Sequence, residues 1–374
     1  MAILFETTEI NGMKMKNRFV RSATYEAMAE LDGTVRNQLS DYVKDLCRGE
    51  VGLIISGHTH VARIGQAGPR QMGIYSDAMI DGLKRVTSVV HENGGVIAAQ
   101  LAHAGQKGIG KEEYAAQGPS ELIKDGAIQA TEMTTDDIKF TISAFGDAAA
   151  RAVRSDFDAI QIHSAHGYLL SQFLSPYYNK RKDEYGGSID NRARLLLMVY
   201  NEIRQRVGKS FPIMAKINSE DFLTGGLTVK EMLDVAHMLE DHGMDAIEMS
   251  GGTFESGDLI PSRVGTSKSK EREAYYRKAA EAYKREIKIP LILVGGFLSF
   301  DVAEEAVASG QADYIALSRP LVREPHLVKR WAGGDRSKAK CISCNKCFST
   351  LYKKEALHCF AAKKSKEKND SDAD

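Results

Sequence analysis

Pro212-Ile-Met-Ala-Lys-Ile-Asn218, then Thr228-Val-Lys-Glu-Met-Leu-Asp-Val-Ala-His-Met-Leu-Glu-Asp-His242-Gly243, then Asp245-Ala-Ile-Glu-Met249 follow one another along the chain, and their order decides the fold. The first and third are short apolar runs, the length of strands buried on both faces. Between them Met232, Val235, Ala236 and Leu239 fall on one helical stripe. Thr228 and Glu231 form a capping box, and Gly243 supplies the stop. Strand, helix and strand in that order make a βαβ unit, which implies parallel strands.

The same grammar repeats on both sides. Val51–Ser56, Gly95–Leu101, Phe157–His163, Ile289–Val294 and Ala312–Leu317 read as further strands, and Arg18–Thr24, with Phe19, Val20 and Ala23, brings the count to eight. Helical segments Ser76–Asn93, Asn191–Val207 and Ser299–Ser309 are closed by Gly94, Gly208 and Gly310. Eight strands alternating with helices over about 330 residues predict an α/β chain folded as a (β/α)8 TIM barrel, not two doubly wound sheets. Gly105–Met133, rich in Gly and polar residues, interrupts the rhythm as a long loop after the third strand, ahead of a helix starting near Thr134. Ser175–Ile189 is a second interruption. Lys363–Asp374 is nearly all charged and polar and reads as a disordered tail. The expected divisions are a barrel over 1–335, a Cys-rich extension over 336–362 and the tail over 363–374.

Composition narrows the function. Of 374 residues 43% are hydrophobic, enough for a large core, and 50 Lys plus Arg balance 50 Asp plus Glu. A net charge of zero removes the electrostatic footprint of a nucleic-acid or anionic-membrane binder, so neither partner is expected. Met1-Ala-Ile-Leu-Phe5 lacks the basic and apolar regions of a signal peptide, and no apolar run approaches the ~20 residues of a spanning helix, so a soluble, cytoplasmic protein is expected. Cys341, Cys344, Cys347 and Cys359 crowd near the C-terminus, which suits a metal or cluster site better than disulfides in a reducing compartment. Cys47, on a predicted helix, reads as buried.

In such a barrel the site is built where the strands stop. Those ends are polar: Ser22-Ala-Thr-Tyr25, Ser56-Gly-His58, Gln100-Leu-Ala-His103, His163-Ser-Ala-His-Gly-Tyr168, Lys216-Ile-Asn218, Ser250-Gly-Gly252, Gly295-Gly296 and Ser318-Arg319. His163 and His166 can converge on one oxygen while Tyr168 approaches from another side; a structural pair capping the strand end explains the same spacing. A metal there lacks a third His or a carboxylate nearby. Gly295, Gly296, Ser318 and Arg319, on strands seven and eight, favour a phosphorylated ligand, through open backbone N–H groups and a forked guanidinium. Gln100 and Lys216 could read a heterocycle with an imide edge and stabilise negative charge on it, or Lys216 could pair with Glu220 or Asp221.

His163-Ser-Ala-His-Gly-Tyr-Leu-Leu-Ser-Gln-Phe-Leu-Ser-Pro176, followed by Asn179-Lys-Arg-Lys-Asp-Glu-Tyr-Gly-Gly-Ser-Ile-Asp-Asn-Arg192, closely resembles the Old Yellow Enzyme family of FMN-dependent ene reductases. The resemblance runs from Phe5 to about Gly334 and includes Lys16-Asn-Arg-Phe19, Gln100-Leu-Ala-His-Ala-Gly105, Gly118-Pro-Ser120 and Arg319-Pro-Leu-Val-Arg-Glu-Pro325. It implies one FMN at the barrel mouth, NAD(P)H as reductant and a small-molecule substrate. Ser22, Ala23 and Thr24 would lie along the flavin, Gly57 and His58 near its ring, Gln100 at its pyrimidine edge and Lys216 by N1 and the C2 oxygen. Gly295, Gly296, Ser318 and Arg319 would hold the phosphate. His163 and His166 would bind a substrate carbonyl, and Tyr168 would protonate the α-carbon of a C=C bond as hydride reaches the β-carbon. Tyr25, where relatives carry a smaller side chain, would border the substrate.

The cysteine run is similar to the cluster segment of the 2,4-dienoyl-CoA reductase and trimethylamine dehydrogenase branch, with a second gap of two where that branch has three. The resemblance leaves three readings: a [4Fe-4S] cluster fed by a separate electron-donor subunit, a Zn²⁺ held by four thiolates, or free thiols. The chain stops soon after Cys359, with no room for that branch's FAD region, which argues against the relay. Rival functions are a catalytic subunit acting on a dienoyl-CoA or amine, and a lyase or isomerase without flavin. Substrate identity, NADH or NADPH, and a monomer or a homo-oligomer stay open.

Overall fold

Parallel strands buried on both faces must be covered inside and out, and here they close on themselves. A computed structural model describes residues 2–109, 115–349 and 355–362; the expected tail over 363–374 lies outside the described residues. The barrel strands are β1 (Phe19–Arg21), β2 (Leu53–Ile55), β3 (Ile97–Ala102), β4 (Ala159–Ser164), β5 (Ile213–Asn218), β6 (Ala246–Ser250), β7 (Leu291–Leu293) and β8 (Tyr314–Leu317). Each pairs in parallel with the next, and β8 closes on β1 with Ala316 opposite Val20. The predicted (β/α)8 barrel is therefore the observed fold. Most strands fall a residue or two short of their apolar runs, because burial extends past the ladder.

Around them run α1 (Asn37–Arg48), α2 (Ile80–Glu92), α3 (Thr135–Arg154), α4 (Ile189–Val207), α5 (Val229–Asp241), α6 (Arg277–Glu286), α7 (Phe300–Ala308) and α8 (Leu327–Ala332). The box of Thr228 and Glu231 opens α5, and Thr134 with Asp137 does the same for α3, where a start near Thr134 was predicted. Trp331 is fully buried, 5.6 Å from the Phe19 ring and 5.7 Å from that of Phe300, joining α8 to β1 and α7. Cys47 is buried on α1, as its helix predicts.

Side chains alternate along each strand, so the barrel interior is built in layers. The lower layer is apolar, including Val20, Ala98, Ala159, Met214 and Ala246. A hairpin of Thr8–Ile10 and Met13–Met15 closes the N-terminal end, adding Ile10, Met13 and Met15 to that cluster. One layer higher, two positions along the same strands, stand Ser22, Gln100, Gln161, Lys216 and Glu248, all buried. The change from apolar to polar within single strands places the site at the C-terminal mouth.

The Gly105–Met133 stretch departs from a plain loop. It carries its own small sheet, in which Ala127–Glu132 pairs in parallel with Ala116–Gly118 and antiparallel with Leu122–Lys124. Ile123 and Ile128 stay exposed there, so the apolar alternation that announces a strand is weak. Ser175–Ser188 has no helix or strand and is held by side chains instead. Arg181 donates to the carbonyls of Pro119 (3.1 Å) and Met133 (2.8 Å), and Ser120 Oγ accepts from the Lys180 N–H. The two interruptions are thus one unit at the rim. No helix among the described residues is long and apolar enough to cross a membrane.

Arg181→Met would leave two buried carbonyls without their donor, at a cost of about 2–4 kcal/mol. Limited proteolysis should then cut within 115–133 much faster than in the parent protein. Unchanged cleavage would show that Arg181 does not fasten the rim.

Candidate active site

The polar layer consists of one connected set. Lys216 Nζ lies 2.9 Å from Glu248 Oε1 and donates to Ser22 Oγ at 2.8 Å. Ser22 donates in turn to Glu248 Oε1 at 2.5 Å, and Gln161 Nε2 donates to Glu248 Oε2 at 2.8 Å. Gln161 Oε1 accepts from Gln100 Nε2 at 2.7 Å. The strand register makes these meetings inevitable, since Gln161 faces Gln100, Lys216 faces Glu248 and His163 faces Lys216 on neighbouring strands. Lys216 therefore pairs with Glu248 and not with Glu220 or Asp221. Asp221 is occupied by Asn218 Nδ2 and the Leu227 N–H. Both partners of the ion pair are almost wholly removed from solvent, with side-chain exposures of 4% and 0%.

Above this layer opens a cavity of about 690 Å³, within the roughly 300–1,000 Å³ usual for small-molecule and cofactor sites. It brings together most of the predicted residues: Ser22, Ala23, Thr24, Tyr25, His58, Gln100, His163, His166, Tyr168, Lys216, Gly296, Ser318 and Arg319 all line it. Gly57 stands behind the wall instead. Its N–H donates to Glu26 Oε1 at 3.0 Å, and Glu26 pairs with the buried Arg21. Gly295 precedes the lining Gly296, whose φ of 78° and packing against Tyr275 leave no room for a Cβ. A larger open hollow of about 1090 Å³ beside Arg263 contains none of the predicted residues.

The donor set suits FMN. At one end Thr24 Oγ1 and Ser318 Oγ are 2.8 Å apart beside Gly296 and Arg319, hydroxyls and a guanidinium fit for a phosphate. The floor offers Gln100 and Lys216 to a polar heterocycle edge.

Three imidazoles and two phenols surround the opposite end. His163 packs edge-on to His166 (5.3 Å between ring centres) and to Tyr168 (5.1 Å), and its Nδ1 is buried with no protein partner. His166 adopts a left-handed φ of 64°, which aims its ring; its backbone N–H donates to Asn218 Oδ1 and its ring Nε2 lies 2.7 Å from Ser250 Oγ. Burial holds both rings well below the usual imidazole range, with the neighbouring positive charge of Lys216 adding to it, so both are neutral. His58 is pushed down to about 4 by burial and then by His60. Its tautomer follows from Gln71: Gln71 Oε1 accepts from the Ala67 N–H, so the amide nitrogen faces His58 Nδ1, and the His58 proton sits on Nε2. Tyr25 lies 4.9 Å from the His58 ring and donates its O–H to the Pro69 carbonyl. Phe254, 59% exposed, meets Tyr168 edge-on at the mouth.

Several of these residues escaped the sequence reading. Glu248 and Gln161 lay hidden inside apolar runs, and their one signal was a polar side chain at an inward-facing strand position. Gln71 and Phe254 come from loops, and Ser250 from the end of β6, and no local pattern announces their approach.

The cysteine expectation finds no metal site. Cys341, Cys344, Cys347 and Cys359 border one small recess, yet among the described residues no group of three or more His, Cys, Asp or Glu side chains could hold a metal ion. Burial pushes the Cys347 thiol up to about 11 and raises that of Cys341.

A family model described as NADH:flavin oxidoreductase / NADH oxidase matches residues 3–337. The chain is 38% identical to an NADPH dehydrogenase of Geobacillus sp. (strain WCH70) over 327 residues, 87% of this chain and 92% of that protein. Among solved structures it is similar to an old yellow enzyme homologue from Zymomonas mobilis (TM-score 0.73, 26% identity, 90% of this chain and 94% of that one). It is also similar to 2-naphthoyl-CoA reductase solved with 2-naphthoyl-CoA (TM-score 0.88, 27% identity), covering 96% of this chain but 56% of that one.

Two outcomes test the electrostatics of the site. Lys216→Met leaves Glu248 buried without its cation and should cost about 3–5 kcal/mol in urea unfolding, most of it regained when Glu248→Met is added. A cost near zero for the single variant would remove the pair as the support of the mouth. Secondly, unfolded imidazoles titrate near 6.5, whereas His58 and His103 titrate at about 4 in the fold. Between those values the unfolded chain binds more protons, so stability from these groups is complete above about pH 6.5 and lost as the pH falls toward 4. Unfolding free energies at pH 7.5, 6 and 5 should decline in that order; equal values would mean that the rings are protonated in the folded protein.

Proposed function

The chain belongs to the NADH:flavin oxidoreductase / NADH oxidase family, and from that premise we propose that it reduces the C=C bond of an α,β-unsaturated carbonyl compound. Family membership makes it an FMN-dependent NAD(P)H oxidoreductase and disposes of the lyase or isomerase reading. The observation that carries the finer reading is the meeting of His163, His166 and Tyr168 at one end of a cavity whose floor is Gln100 and Lys216.

FMN, when bound, accepts electrons from NAD(P)H and supplies hydride to the substrate. Ser22, Ala23 and Thr24 would flank it, Gln100 and Lys216 would meet its polar edge, and Gly295, Gly296, Ser318 and Arg319 would bind its phosphate. Glu248 shares the charge of Lys216, so the lysine acts there as half of a neutral pair with its cation toward the cavity. That tempers how strongly it favours a negative ring.

His163 and His166 hold the substrate carbonyl. Being neutral, each ring has one N–H to give, and the Ser250 hydroxyl, 2.7 Å from His166 Nε2, helps to hold that ring in place. Two such donors stabilise the negative charge that builds on the oxygen as the β-carbon is reduced. Tyr168 then delivers its phenolic proton to the α-carbon, so that one hydride and one proton complete the saturated product. Tyr25, His58, Tyr168 and Phe254 surround the substrate end with flat rings, which favours a planar conjugated substrate, either an enone or an aromatic, enoyl or dienoyl thioester. The 2-naphthoyl-CoA bound to one similar structure supports the thioester arm.

Protein purified without oxygen should show resolved flavin absorption and lack the broad brown band of an iron–sulfur cluster. A colourless protein that FMN cannot reconstitute would overturn the reading. Tyr168→Phe should slow the oxidative half-reaction with an enone by about 10²- to 10⁴-fold while reduction by NAD(P)H is nearly unchanged; equal losses in both halves would remove the proton donor. His163→Ala and His166→Ala should each weaken binding of a phenolic ligand, and wild-type affinity would show that these rings hold no oxyanion.

A further inference from the structure

The phosphate end of the cavity is closed by residues beyond the family match. Cys341, Ser343, Asn345 and Phe348 line it beside Ser318 and Arg319, whereas the match stops at residue 337. Arg319, Cys341 and Asn345 also border the recess of the other cysteines, so Arg319 stands between the two spaces. The extension is docked firmly: Cys347 and Leu357 belong to the main core, and the Leu357 N–H donates to the Glu26 carbonyl at 2.8 Å.

Asn345 makes the decisive contacts. Arg319 Nη1 donates to Asn345 Oδ1 at 2.6 Å and to the Arg263 carbonyl at 3.0 Å. The other end of the amide donates to the Ser262 carbonyl at 2.6 Å, a partner that can only accept, so the orientation of Asn345 is settled by its neighbours. On the near side of Cys344, the Ser343 carbonyl accepts from the Gly265 N–H at 3.1 Å. Ser343 and Asn345 both hold left-handed backbone, φ 52° and 57°, a conformation that Asn tolerates better than most residues. The turn is thus shaped to bring one carbonyl oxygen to one guanidinium nitrogen.

An arginine side chain is long and flexible, and fixing it during binding costs conformational entropy. Two acceptors on a single Nη hold one edge of the guanidinium in place before any ligand arrives, and such preorganisation raises affinity. We propose that Asn345, carried on the cysteine turn, is a positioning residue for Arg319, which makes this turn a working part of the FMN site. The proposal rests on the reading that Arg319 takes the FMN phosphate.

The test is flavin affinity and not turnover. Apo-protein is titrated with FMN and with riboflavin, which lacks the phosphate, and quenching of flavin fluorescence is followed. Asn345→Ala should raise the Kd for FMN about tenfold, the weight of one hydrogen bond to a charged group, and leave riboflavin affinity unchanged. Arg319→Ala should separate the two flavins further. If Arg319→Ala separates them and Asn345→Ala does not, the positioning role is wrong while the phosphate reading stands. If neither variant separates them, the phosphate reading itself falls. Equal weakening of both flavins by Asn345→Ala would mean general damage to the cavity and would also overturn the proposal.

Discussion

A lysine and a glutamate on adjacent strands, sealed inside the barrel, are the constraint on which the mouth depends. Either charge alone in that place would cost several kcal/mol, so each holds the other, and Ser22 and Gln161 satisfy what remains of the carboxylate. The set draws one member from each of β3, β4, β5 and β6, and Ser22 from the residue just past β1. It can form only in a closed barrel of the observed register, because a slip of one residue in any strand would turn its member toward the helices. Gln100, Lys216 and the neighbouring His163 are aimed as a consequence of that register.

Dryness then sets the chemistry. The same burial that makes the ion pair obligatory keeps the imidazoles of His58, His163 and His166 neutral, and a neutral ring is a directional donor that carries no charge of its own. Hydrogen bonds with Gln71 and Ser250 order the rings of His58 and His166 further. The rings of His58 and His166 are thus each oriented by a partner that never needs to touch the substrate.

Three outlying segments complete the mouth. The small sheet over 116–132 and the loop after β4 are fastened together by Arg181, and the cysteine turn walls the opposite end through Asn345. The thiols that read as ligands from spacing sit together in a recess behind Arg319. Spacing along the chain brought the four residues to one recess.

By itself the sequence determined the barrel, because buried parallel strands and stripe-faced helices have periods that differ, and caps such as Thr228 with Glu231 mark their borders. It also determined the polar strand ends, since a barrel leaves only those positions facing its mouth, and most of the predicted residues line one cavity. What the tertiary structure alone decided was pairing. Glu248 and Gln161 sit within apolar runs, Asn345 and Arg319 lie far apart in sequence, and Gly57 stands behind the wall it was expected to form. Local patterns record which face a residue presents to its own strand or helix; which other residue meets it there depends on register and closure, and these exist only once the whole chain has folded.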